Sequence, residues 1–247
     1  MMDINYNEVR EELRRKNLLE IQKELTEQRR NRTAIMSFLL FALIFTVAYG
    51  MLENPFIYTL SNIGNFFTYR LYFIIWAIIC GVSIEFALPA LFNLEAYQKK
   101  YARLFVYLSV LFLIATSIIP ALKDDYPVLH LIHTITSGLY ALFLYLALVP
   151  FTRWISKENP RLRIYMTVWQ IVIWIGSILL VIIFWHSALF ELWFFITNII
   201  FLIYLSLVLY EEKIVKISIR LMSDEENLNL AIEKIFVNLD EKKRRKE

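Results

Sequence analysis

Three histidines, His130, His133 and His186, are all the imidazoles in this 247-residue chain. His130 and His133 lie on one helical face, so both rings can reach a single divalent ion such as Zn²⁺. His186 would serve as a third ligand and a carboxylate or water as the fourth. A position left open in that shell would activate water, the chemistry of a metal-dependent intramembrane hydrolase. The same rings with Arg70 suit a second chemistry, the binding of an anionic lipid headgroup. A third reading needs no ligand: interhelical hydrogen bonds that fix helix register. Asp124 and Asp125 precede His130 in sequence, and Ser61, Asn62 and Gly64 stand in an earlier loop. With Glu53, Asn65 and Glu191 they are expected to form a polar crown at one end of a bundle. His130, Thr134 and Ser137 recur at i, i+4 and i+7, and with His133 they predict a polar stripe facing the bundle interior.

Glu85 is a separate case. It follows Arg70 by about 22 Å along a helix axis, too far to pair with it. An intramembrane carboxyl is expensive and marks a functional site or helix–helix glue. Gln170 and Tyr107 are its expected hydrogen-bond partners, and a proton-coupled carrier is the functional alternative. No G-x-S-x-G, H-E-x-x-H, P-loop or C-x-x-C pattern occurs in the sequence, so no familiar enzyme signature supports catalysis. The single Cys80 implies no disulfide framework.

The elements that must position these residues are membrane spans. Apolar residues make up 58% of the chain and mean hydropathy is +0.52, whereas a soluble domain sits near about 45–50% apolar. Six windows, 33–52, 71–94, 104–122, 126–152, 164–190 and 192–210, are long enough to cross about 30 Å of hydrocarbon as helices. The expected fold is therefore all-α, a polytopic six-helix bundle. It divides into a charged cytosolic helix at 1–32, a transmembrane domain at 33–210, and an amphipathic helix with a basic tail at 211–247. Charged residues precede the first window and no small-residue cleavage site follows it, so it is not expected to be a cleaved signal peptide. Lys99, Lys100, Arg103, Arg153, Lys157, Arg161 and Arg163 gather in the loops on the side of the termini. The positive-inside rule then puts both termini in the cytosol of a cell membrane and the histidines outside.

The terminal segments suit partners rather than chemistry. Residues 7–30 read as a charged helix with Glu12/Lys16 at i,i+4 spacing. Ser223 and Glu226 form a capping-box pattern that would start a second helix. That helix carries an apolar stripe suited to the membrane surface, to a partner protein or to self-association. The final basic run suits anionic lipid. Nucleic acid is not expected, since net charge is only +3 and no binding motif accompanies the run.

The run Leu60-Ser61-Asn62-Ile63-Gly64-Asn65, followed by Arg70 and Tyr72, and the later proline-bearing loop into Leu129-His130 carry a family likeness. They resemble the domain-of-unknown-function 998 family and, more distantly, the FRAG/DRAM/SFK group of six-helix membrane proteins. The resemblance covers roughly residues 33–210. It implies a six-helix bundle without an established reaction, with Ser61, Gly64, Arg70 and His130 as the matching outer constellation. It also implies lipid as the ligand, because eukaryotic relatives act in lipid remodelling and membrane trafficking. His133, His186 and the charged ends lie outside that pattern, so the likeness adds nothing to a metal site.

Overall fold

The computed structural model describes the backbone of residues 6–184 and 187–244, with side chains at 12, 15–16, 19–184 and 187–219. Seven α-helices run in chain order: α1 (Tyr6–Gly50), α2 (Leu60–Phe66), α3 (Arg70–Leu94), α4 (Lys100–Ile118), α5 (Pro127–Glu158), α6 (Arg163–Ile183) and α7 (Leu189–Arg244). A single 3₁₀ turn, Pro160–Leu162, joins α5 to α6. Six of the helical stretches are long and apolar enough to cross a bilayer, and the protein is an all-α, multi-pass membrane bundle.

Several boundaries differ from the sequence reading, α4 for one ending at Ile118. The charged segment 7–30 and the first span are one helix, α1, without a break. The sixth span and the amphipathic segment are likewise one helix, α7, which runs straight through Ser223. The capping-box pattern therefore sits mid-helix and starts nothing. Neither helix contains a glycine or proline before its end to interrupt it, apart from the terminal Gly50. The fifth span is shorter than the window 164–190: α6 ends at Ile183, and Phe184 leaves helical geometry.

The chain clusters into two compact units, one of residues 33–209 and one of the terminal segments. In the terminal unit, Arg32 pairs with Glu211 and Lys16 with Glu12. In the larger unit, α3 is central. It buries Phe73, Trp76, Ala77, Gly81, Ile84 and Leu88 along one broad face. By contrast α6 is peripheral: 11% of its apolar window is buried, against 61% for the last span. Hydrocarbon, not protein, must cover most of α6.

Helix α2 is short but fixed at both ends. Thr59 caps it by accepting from the Asn62 N–H at 3.1 Å. The Tyr49 hydroxyl of α1 donates to the Leu60 carbonyl at 2.8 Å. Gly64 allows the close approach: a Cβ there would stand 2.8 Å from Phe73 Cβ and 3.0 Å from Tyr49 Oη. Both neighbours are held by packing, because the rings of Tyr49, Phe73 and Trp76 stack in succession. Gly64→Ala should cost about 1–3 kcal/mol by overpacking, read as a lower unfolding midpoint in detergent. An unchanged midpoint would mean that α2 does not seat on α3 as described.

Candidate ligand-binding site

The end of α4 explains the cluster of basic and aromatic-nitrogen side chains. Proline at 120 biases Ile119 to an extended backbone, observed at φ −79° and ψ 129°, so α4 stops there. A helix stopped this way leaves its last carbonyls without amide partners, and hydrocarbon supplies none. Three side chains donate instead. Arg70 Nη2 donates to the Ile118 carbonyl. His133 Nδ1 donates to the Ile119 carbonyl at 3.1 Å and His130 Nδ1 to the Ala121 carbonyl at 2.9 Å. A carbonyl can only accept, so both rings carry their proton on Nδ1. Arg70 Nη1 also donates to Asn65 Oδ1 at 2.8 Å, and Asn65 Nδ2 donates to the Ser61 carbonyl at 2.6 Å. Arg70 thereby ties α2, α3 and α4 together.

Other crown residues separate into distinct roles. Asp124 and Asp125 are exposed on the turn before α5. Asn62 is half-buried and its backbone is held by the α2 cap. Gly64 is a packing position. His186 lies outside the described residues. Among the described residues, no group of three or more His, Cys, Asp or Glu side chains is placed to hold a metal ion. The predicted interior stripe of α5 is displaced. Thr134 is exposed, and its hydroxyl donates back to the His130 carbonyl at 2.9 Å. Of that stripe His133 does face inward, together with Thr136 and Tyr140, and Ser137 lines the cavity from the edge of this face. Thr116 of α4 donates to Thr136 at 2.9 Å and locks the two helices in register.

Glu85 does not find its expected partners. Its Oε2 is buried without a hydrogen-bond partner among the described residues. Gln170 instead accepts from Trp174 Nε1 at 2.6 Å, and Tyr107 is exposed on the bundle surface. The small residues Ala77 and Gly81 do share a packed face with Glu85. A Cβ on Gly81 would lie 2.9 Å from Val110 of α4.

Three of the crown residues, Ser61, His133 and Glu191, do meet in one cavity of about 360 Å³ inside the larger unit. Glu191 Oε2 accepts from the Leu60 N–H at 2.5 Å, so α7 pins the start of α2. The rest of the wall is mostly apolar. Trp76 packs edge-on against Phe195 at 4.6 Å, Phe195 stacks on Tyr140 at 5.5 Å, and Phe194 meets Trp174 at 5.5 Å. Tyr140 is 4% exposed and lines this space, yet its hydroxyl has no partner among the described residues. On the α6 side the wall is Ile178, Val181 and Ile182, whose two isoleucines are themselves largely exposed on the bundle surface. The cavity therefore has a polar end under α2, an aromatic floor, and a thin flank facing the membrane. A space of this size, apolar with a few convergent polar groups, is what an organic ligand occupies. Comparison of the chain with family models, curated proteins and solved structures gives no match.

Proposed function

We propose that this protein binds a membrane amphiphile in the cavity under α2 and acts as a lipid-binding or scaffold protein, not as an enzyme. The polar head rests near Ser61, His133 and Glu191, and the hydrocarbon part lies along Phe194, Val181 and Ile182. The observation that supports this reading is the pairing of a carboxyl, an imidazole and an unpartnered phenol with an otherwise aromatic and aliphatic wall. The thin α6 flank gives a lateral route from the bilayer. The head donates hydrogen bonds and carries no negative charge. No Lys or Arg lines the cavity, Glu191 does, and Arg70 spends donors on Asn65 and Ile118. An anionic headgroup, which Arg70 and the histidines suggest in sequence, would meet a carboxyl with no counter-charge.

The family likeness carried by Ser61, Gly64, Arg70 and His130 belongs to the same proposal. So does the orientation, which the basic loops at the far end support: the cavity on the extracytosolic side of a cell membrane and both termini in the cytosol.

The test is native mass spectrometry of the purified full chain with hexadecanol, hexadecylamine and palmitate. The alcohol and amine should be retained, and palmitate at least about tenfold less. Ala141→Phe, which fills the cavity from α5, should remove retention of all three. Equal retention of palmitate, or full retention by Ala141→Phe, would overturn the proposal.

A further inference from the structure

A second cavity, of about 290 Å³, lies between α5 and α6 toward the opposite end of the bundle from α2. One face of α5 supplies Thr152, Arg153 and Ser156, and one face of α6 supplies Thr167 and Gln170, with Ile171 and Trp174 beyond them. Most of these polar groups have spent their protons. Thr152 donates to the Val149 carbonyl, Ser156 to the Thr152 carbonyl, and Thr167 to the Arg163 carbonyl, at 3.0, 2.7 and 2.9 Å. Besides the exposed Tyr145 hydroxyl, two groups keep donors. The Gln170 amide is oriented by the Trp174 Nε1–H donating to its Oε1, and this leaves Nε2 buried without a partner. Arg153 is exposed at the mouth and in no ion pair among the described residues. No carboxylate lines the space.

A guanidinium and an unpaired buried amide donor, with no acid between them, call for an anionic oxygen acceptor. The groove opens along a span, and Ile171 and Ile175, about half exposed, continue it as an apolar track. Gln170 sits about 10 Å along the α6 axis from Arg163, deep enough to meet a lipid phosphate or glycerol ester. We infer that the α5–α6 groove is a phospholipid site: Arg153 and the Gln170 amide hold the headgroup phosphate, and an acyl chain follows Ile171 and Ile175. Trp174 stands in the walls of both this groove and the cavity under α2, but Arg153 and Gln170 line only the groove, and the inference does not depend on the first cavity. Basic pockets between spans are suited to anionic lipids for the same electrostatic reason.

The experiment is retention of phosphatidylglycerol by the purified full chain, read by native mass spectrometry beside diacylglycerol, which has the same tails and no phosphate. Wild-type protein should retain phosphatidylglycerol and release diacylglycerol. Arg153→Gln and Gln170→Met should each lower retention about tenfold, the scale of one charge-assisted or buried hydrogen bond. Arg153→Lys should recover most of it. Arg161→Gln, an exposed basic residue outside the groove, should match wild type. Because Arg153 is on the surface, its variants report binding and not folding. Wild-type retention by Arg153→Gln would overturn the assignment. So would equal retention of diacylglycerol, an equal loss in Arg161→Gln, or displacement of the lipid by excess inorganic phosphate.

Discussion

Arg70→Ala should lower stability by about 2–4 kcal/mol and loosen the whole segment from 51 to 69. The guanidinium donates both to Asn65 of α2 and to the Ile118 carbonyl at the end of α4. Each charge-assisted bond contributes about 1.5–3 kcal/mol when shielded, and partial exposure of Arg70 keeps the sum toward the lower part of that range. Removing it leaves a terminal carbonyl near hydrocarbon with no donor. The measurements are the unfolding midpoint in detergent and limited proteolysis of the 51–69 segment. Arg70→Lys should recover only part of the loss, because one ammonium cannot fork between two acceptors on different helices. Amphiphile retention per folded molecule should stay near wild type, since Arg70 does not line the cavity. A selective loss of retention with an unchanged midpoint would return Arg70 to the role of ligand-binding residue.

Glu191→Leu should remove both stability and binding. Its carboxyl accepts the Leu60 N–H at the start of α2 and stands in the cavity wall. Leucine leaves that N–H without its acceptor, at about 1–3 kcal/mol, and leaves an amine or alcohol head without its best acceptor. Retention of hexadecylamine should fall by about tenfold or more. Glu191→Gln separates the two effects. Its amide oxygen still accepts from Leu60, so the unfolding midpoint should recover. Hexadecanol should still be retained, while hexadecylamine loses its advantage. A preference for the amine that survives in Glu191→Gln would show that the head contacts another group.

The spans were legible because hydrocarbon imposes one rule on every residue that crosses it, and the windows, charge-free except for Glu85, obey it. The continuity of α1 and α7 was readable too, from the absence of glycine and proline. The change in polarity at residues 30–33 marks where the two compact units divide, but the helix itself runs on through it. Side-chain roles at the α2 end were harder to read. Arg70, His130 and His133 looked like a ligand set because ligands prefer these types, but their partners are backbone carbonyls, which every sequence carries unseen. The inward face of α5 is rotated from the predicted one for a related reason. Thr134 satisfies its hydroxyl on its own helix and can sit outside, so polarity alone does not fix the inward face. Glu191 opens a helix where an acid is unremarkable, and only the fold shows that it reaches across to Leu60.

The most direct measurement is photocrosslinking of the full chain in bilayers with a diazirine-bearing long-chain alcohol, followed by peptide mapping. Adducts should concentrate on Val181, Phe194 and Phe195, compete away with hexadecanol, and vanish in Ala141→Phe. Labelling spread over outward residues such as Ile44 and Leu131, indifferent to competitor and to that substitution, would mean that the cavity under α2 holds no amphiphile.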